Sequence, residues 1–204
     1  MPNLTTRTAK SFWTGLRIML ILIVILGIAY PIFVLVIGQL AFTGQANGSL
    51  VRMADGRVAG SSLLGQRFEA PDGSPLPQYF QSRPSVAGDL GYDATASGGS
   101  NLGPESDELV LQISDRLAEV AAFNGVSESA VPVDAVTSSG SGLDPHISVE
   151  YAKLQVPRVA KARDLPVDVV EAAVDAATVG RDLGLLGEPS VNVVELNLAL
   201  DAVG

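Results

Sequence analysis

Residues 139–148, SGSGLDPHIS, gather the residue types that most often do chemistry: a Gly/Ser loop, the carboxylate Asp144, and His146, the only histidine in 204 residues. A histidine beside a carboxylate can move protons near neutral pH, and a Gly/Ser loop can turn backbone N–H groups onto an anion. Neither chemistry is completed here. A serine hydrolase needs a nucleophile on a sharp turn as well as a base and an orienting group, and the chain has no G-x-S-x-G string. A metal site wants several histidines, cysteines or clustered carboxylates, and cysteine is absent. The expectation is therefore that no residue is catalytic and none ligates a metal. Asp144-Pro145 turns the chain, and His146 leads it into the following helix.

Two other stretches could meet a ligand. The glycine loops at 97–101 and 139–142 lack the lysine of a G-x-x-x-x-G-K-[ST] nucleotide loop, so ordered turns or docking loops are expected. Lys153, Arg158, Lys161 and Arg163 gather in one short helical stretch. They could face an anionic ligand or an acidic partner. Equally, they could complement a helix C-terminus at about 0.3–1 kcal/mol each. Both readings stand.

The elements that must position these residues begin with a membrane anchor. Residues 18–37 carry no charge, and fifteen of the twenty are Leu, Ile, Val or Phe. A helix of that length spans a hydrocarbon core of roughly 30 Å. A cleaved signal peptide would have a shorter apolar core and a small-x-small site after it, and none is evident. Arg7, Lys10 and Arg17 precede the span, and no further basic residue comes before Arg52. The positive-inside rule then puts the N-terminus in the cytoplasm and the rest outside, as a single-pass protein of the cell membrane. Pro31 leaves the Gly27 carbonyl without its usual donor, which predicts a kink and suggests helix partners.

Beyond the anchor, ten basic residues face 22 acidic ones, a formal −12. Phosphate contact needs clustered Lys and Arg, so nucleic acid is excluded as a partner. Acidity of this size keeps an exposed domain soluble, and it would also draw cations toward a nearby channel mouth. Asp55-Gly56 predicts a hairpin within 48–68, and 79–85 a short strand. Residues 89–104 read as a long Gly/Ser-rich loop of the functional or docking kind. Pro104 with Glu105, Asp107 and Glu108 opens a helix that Asn124-Gly125 closes. A strand is expected at 131–136, helices at 148–163 and 167–177, then a strand at 191–193 and a final helix. The organisation is a cytoplasmic N-terminal tail at 1–15, a transmembrane helix at 16–42 and one extracytoplasmic α+β domain at 43–204.

Five strings occur in order after the single anchor: YFQSRPS, SGGSNLGP, SGSGLDPHIS, QVPRVAKAR and GRDLGLLGEPSVNVVELNLALD. Together they resemble the KdpC family, the C subunits of bacterial potassium-transporting Kdp ATPases, over nearly the whole chain. Leu185 departs from the family's common aromatic there, with no consequence for the reading. The resemblance implies a non-catalytic accessory subunit. Its partners would be a channel-like potassium-carrying subunit, a P-type ATPase subunit and a small peptide-like subunit, besides membrane lipid. It implies a role in assembly, and a role as catalytic chaperone that raises the pump subunit's affinity for ATP. No cofactor is expected to bind firmly, and ATP only through the complex. For nucleotide contact the candidates are Ser139, Gly140, Ser141 and Gly142 as backbone donors, with Gln155, and Arg158 as the phosphate's counter-charge. Topology opposes this, because the outer domain stands across the membrane from cytoplasmic ATP. The alternative is a stand-alone, membrane-anchored extracytoplasmic ligand-binding or sensor module.

Overall fold

The computed structural model describes residues 4–53 and 55–203. The chain divides into two compact units, Met1–Ser49 and Leu50–Gly204. Residues 1–3 of the expected tail, Ala54 in the expected hairpin and Gly204 lie outside the described residues.

The first unit is helical. Helix α1 (Leu4–Val24) runs through a π turn (Ile25–Ala29) into α2 (Tyr30–Ala41), and a single turn α3 (Thr43–Ala46) follows. The stretch Thr8–Ala41 is long and apolar enough to cross a membrane. From Ile18 to Ile37 its large apolar side chains are all exposed, the pattern of a helix whose apolar face goes all the way round. The π turn answers the problem that Pro31 sets. Tyr30 N–H bonds the Ile25 carbonyl, five residues back. The wider register comes directly before the proline, whose missing N–H interrupts the ordinary helical ladder.

The second unit opens with the expected hairpin, β1 (Leu50–Arg52) against β2 (Val58–Ser61), antiparallel, with a register shift at Val51/Arg52. Asp55 Oδ1 accepts the Arg57 N–H at 2.9 Å and tightens the turn. Helix α4 (Asp107–Asn124) begins after Ser106, three residues later than Pro104 suggests, and ends on Gly125 at φ +67°. A three-stranded antiparallel sheet follows, in the order β3 (His146–Ser148), β5 (Ser190–Asn192), β4 (Thr178–Val179). Helices α5 (Val149–Arg163), α6 (Val167–Ala177) and α7 (Val193–Asp201) pack around it. Ser148 caps α5 through its Oγ, and Asn192 caps α7, accepting from Val194 and Glu195. Val156, Val159, Val170, Val174, Val191, Leu196 and Leu200 close the core with Phe80.

Two expected strands are not strands. Residues 131–136 contain a 3₁₀ turn, Val133–Ala135, whose Asp134 carboxylate takes the Ser148 N–H and Oγ–H. Local side-chain bonding wins over β-branched propensity there. Residues 79–85 run extended without a strand partner, and Pro84 removes one ladder donor. His146, expected only to lead into a helix, is the first residue of β3 and pairs with Asn192.

The segment is half-buried all the same. Phe80 is fully buried, and its backbone is met by Asn197 of α7. Asn197 Oδ1 accepts the Phe80 N–H at 2.8 Å, and Nδ2 donates to the Phe80 carbonyl at 2.9 Å. Asn197→Leu would leave both groups unpaired. We predict a loss of about 2–4 kcal/mol, at about 1–3 kcal/mol per orphaned buried group, measured by chemical unfolding of the full chain in micelles. A loss below about 0.5 kcal/mol would show that the amide is not what holds Phe80.

Candidate functional site

Gln155 sits on α5 between Leu154 and Val156 and is fully buried. Its Oε1 accepts the Gln81 N–H at 2.7 Å, and its Nε2 donates to the Gln81 carbonyl at 3.1 Å. One helical turn on, Arg158 donates to Gln155 Oε1 at 2.7 Å, to the Tyr79 carbonyl at 2.9 Å, to the Pro77 carbonyl and to Asn124 Oδ1 at 2.9 Å. Its guanidinium lies 4.3 Å from the Phe123 ring centroid. Burial pushes the Arg158 pKa down to about 10, partly countered by Tyr151, so the group still carries its charge at neutral pH. Arg163 completes the row, donating to the Gln78 carbonyl and to Asp201 Oδ1, both at 2.7 Å. Of the four basic residues on this helix, Arg158 and Arg163 are therefore tied to the protein's own loop and helix ends.

The glycine loops meet each other. Gly98 N–H donates to the Ser141 carbonyl at 2.9 Å, and Ser97 Oγ donates to the same oxygen at 3.0 Å. Ser85 Oγ donates to the Gly142 carbonyl at 2.6 Å. Gly142 has φ +66°, and a Cβ there would stand 2.9 Å from Ala87 Cβ and from the Gly98 carbonyl oxygen. Ser139 is buried, while Gly140 and Ser141 are exposed. The structure thus brings Gln155 and Arg158 together, and it joins residues 139–142 to the other glycine loop.

His146 has one side-chain partner, Asp144, with Nδ1 3.2 Å from Oδ1. The same Oδ1 accepts the His146 N–H at 3.0 Å, and Arg83 Nη1 stands 3.4 Å from Oδ2. The hydrogen bond to Asp144 raises the His146 pKa above 6.5 against a smaller effect of burial. Burial works to raise the Asp144 pKa, but the His146 hydrogen bonds and the charges of His146 and Arg83 outweigh it and bring it down. Among the described residues no serine hydroxyl bonds the imidazole, and no three His, Asp or Glu side chains gather as a metal would need. The arrangement orients a turn. Sequence reasoning passed over Asn197, Gln81 and Tyr151. The available signal was a carboxamide on an otherwise apolar face, Gln155 in LQV and Asn197 in LNL.

A model of the family KdpC, K+-transporting ATPase, c chain, matches residues 12–202. The chain is 51% identical over 188 residues to the potassium-transporting ATPase KdpC subunit of Mycobacterium tuberculosis, covering 92% of this chain and 95% of that one. It is 52% identical over 195 residues to the protein of the same name from Kineococcus radiotolerans, covering 96% and 95%. For that of Gemmatimonas aurantiaca the figures are 52% over 182 residues, 89% and 87%.

Two outcomes are expected of these contacts. Gly142→Ala forces both a left-handed backbone and a clash, so it should destabilise the second unit by about 1–3 kcal/mol in chemical unfolding; a neutral effect would show the loops can part freely. The folded state holds the His146 proton more tightly than the unfolded state. Stability from this contact is therefore complete below pH 6.5 and falls as pH rises through the raised folded value. Full chain and His146→Gln, melted from pH 5.5 to 8.5, should differ in slope, the parent falling more steeply. Parallel slopes would remove the contact from the account.

Proposed function

The chain belongs to the KdpC family, and from that premise we propose that it works as the non-catalytic accessory subunit of an ATP-driven potassium importer, holding the complex together from the outer face of the cell membrane. The observation that carries this is the extent of the family match, 12–202, which takes in the apolar helix and the α+β unit alike. Placement of that unit outside the cell is supported by Lys10 and Arg17 before the span and by the lack of any basic residue between Arg17 and Arg52. The partners are the channel-like potassium-carrying subunit, the P-type ATPase subunit and the small peptide subunit.

One surface fits a partner. The hairpin that spans 180–189 is braced by the Asp182 N–H donating to the Leu186 carbonyl at 2.8 Å and by an Arg181–Glu188 ion pair at 2.5 Å. At its tip Leu183 is 89% exposed and Leu185 69%. An ordered turn that displays leucines suits a contact with another subunit.

An effect on the pump subunit's ATP affinity would be indirect. Gln155 and Arg158 are engaged with the protein's own backbone, and the proposed topology separates residues 139–142 from cytoplasmic nucleotide.

Gentle detergent capture of the tagged chain from native membranes should bring down a potassium-stimulated ATPase. Leu183→Asp with Leu185→Asp should cut the co-purified activity about tenfold or more, as loss of about 1.4 kcal/mol at an interface does, with the anchored chain still present. Arrival of the chain alone would favour the stand-alone module. Because the chain has no cysteine, topology is directly readable: a membrane-impermeant maleimide should label Ala176→Cys on intact cells and leave Ser11→Cys untouched. The reverse pattern would invert the placement.

A further inference from the structure

A cavity of about 280 Å³ lies within the second unit, bordered by α4, the 81–92 segment and Tyr151 at the start of α5. Tyr151 is 3% exposed, and among the described residues its hydroxyl has no hydrogen-bond partner, although its own N–H is satisfied by Ser148. The hydroxyl is not sealed off, because among the described residues the buried side-chain polar atom without a partner is Ser138 Oγ. It is open to a cavity that can hold a partner for it.

Two arginines border the same space, and Arg116 has a donor to spare. Arg116 gives Nη1 to the Val136 carbonyl at 3.2 Å and Nη2 to Gln112 at 3.3 Å, with Nε uncommitted and no carboxylate in ion-pair range. Arg83 is committed elsewhere, ion-paired with Asp144 at 3.4 Å and bonded to the Thr137 and Ser138 carbonyls at 3.3–3.5 Å. Two carboxylates, Glu69 and Glu119, also border the cavity. Arg67 is paired with Glu69, and Glu119 is exposed at the rim. The neighbouring phenol, Tyr92, already donates to the Arg83 carbonyl at 2.7 Å. The inner wall is apolar, from Phe123, Val120 and Ala135. The uncommitted Arg116 Nε and the Tyr151 hydroxyl are donors of the kind that recognises carboxylate or phosphate oxygens.

We propose that this cavity is a binding site for an oxyanion, a phosphate or carboxylate group on a small apolar body, held by Arg116 and the Tyr151 hydroxyl. The volume is close to the lower end for ligand pockets, about 300 Å³, so the occupant is about the size of phenyl phosphate. Burial raises the pKa of Tyr151, which keeps the phenol a donor throughout the physiological range. The oxyanion can come from a free solute or from the headgroup of an anionic phospholipid.

The test uses the full chain, with 3-fluorotyrosine at its four tyrosines, in nanodiscs at constant ionic strength. Its ¹⁹F spectrum is followed as phenyl phosphate is added, and the Tyr151 resonance is assigned by its loss in Tyr151→Phe. The expected result is a saturable shift of that resonance, with affinity at least tenfold weaker in Arg116→Gln. A shift already present in phosphatidylglycerol discs and absent in phosphatidylcholine discs would assign the oxyanion to lipid. A shift that depends on phenyl phosphate in both would assign it to a solute. Tyr151→Phe guards against misfolding, since it deletes only an oxygen without a partner. Its unfolding midpoint without ligand should not fall, and the rise that phenyl phosphate gives the parent should shrink. A Tyr151 resonance indifferent to both phenyl phosphate and phosphatidylglycerol, or a response unchanged in Arg116→Gln, would overturn the proposal.

Discussion

Two buried carboxamides stand in for a missing strand. Asn197 on α7 and Gln155 on α5 each offer one acceptor and one donor to consecutive residues, Phe80 and Gln81. Those four bonds satisfy backbone that no strand reaches. Residues 62–106 contain no helix and no strand, and a chain of that kind normally stays at the surface because its polar backbone needs water. Here Phe80 is driven into the core beside Val156 and Leu200, and the amides make that burial affordable. Arg158 and Arg163 extend the same device to the carbonyls of Pro77, Gln78 and Tyr79.

Much of the apparent chemistry follows from this requirement. A buried glutamine, a cluster of arginines and paired glycine loops look like parts of a nucleotide site when read along the chain. In the folded unit they serve a long irregular segment that must be ordered without regular structure. Each gives up freedom to do so: Gly142 takes a left-handed backbone, and Arg158 is partly desolvated. The apolar helix of the first unit is long enough to cross a membrane and takes no part in this device.

Wherever a periodic signal exists, sequence and structure agree. The uninterrupted apolar run of 18–37, the α4 face of Ile113, Leu117 and Val120, and the valines of α6 all place their elements correctly. Asp55-Gly56 identifies the hairpin because that turn is a two-residue signal. The failures are of another kind. Residues 131–136 have strand-like composition, but Asp134 is recruited by Ser148, a partner 14 positions away in sequence. Residues 79–85 look like a strand because they are extended, yet their partners are side chains 74 and 117 positions distant. Local pattern carries no trace of such pairings. Gln155 reads along the chain as a candidate nucleotide contact, and only the fold shows which backbone its amide completes. Tyr151 gave no signal at all, since a tyrosine on a buried helix face is ordinary until its hydroxyl is found without a partner.

The central claim, that side-chain amides hold an irregular segment as firmly as a sheet would, is open to one direct measurement. Native-state hydrogen exchange of the full chain in micelles should find the Phe80 and Gln81 amides protected to the same degree as Val159 and Val170 in the core helices, opening only with global unfolding. Exchange of those two amides at the rate of the exposed turn at Ser74 would contradict it, and the fold would then rest on helix packing alone.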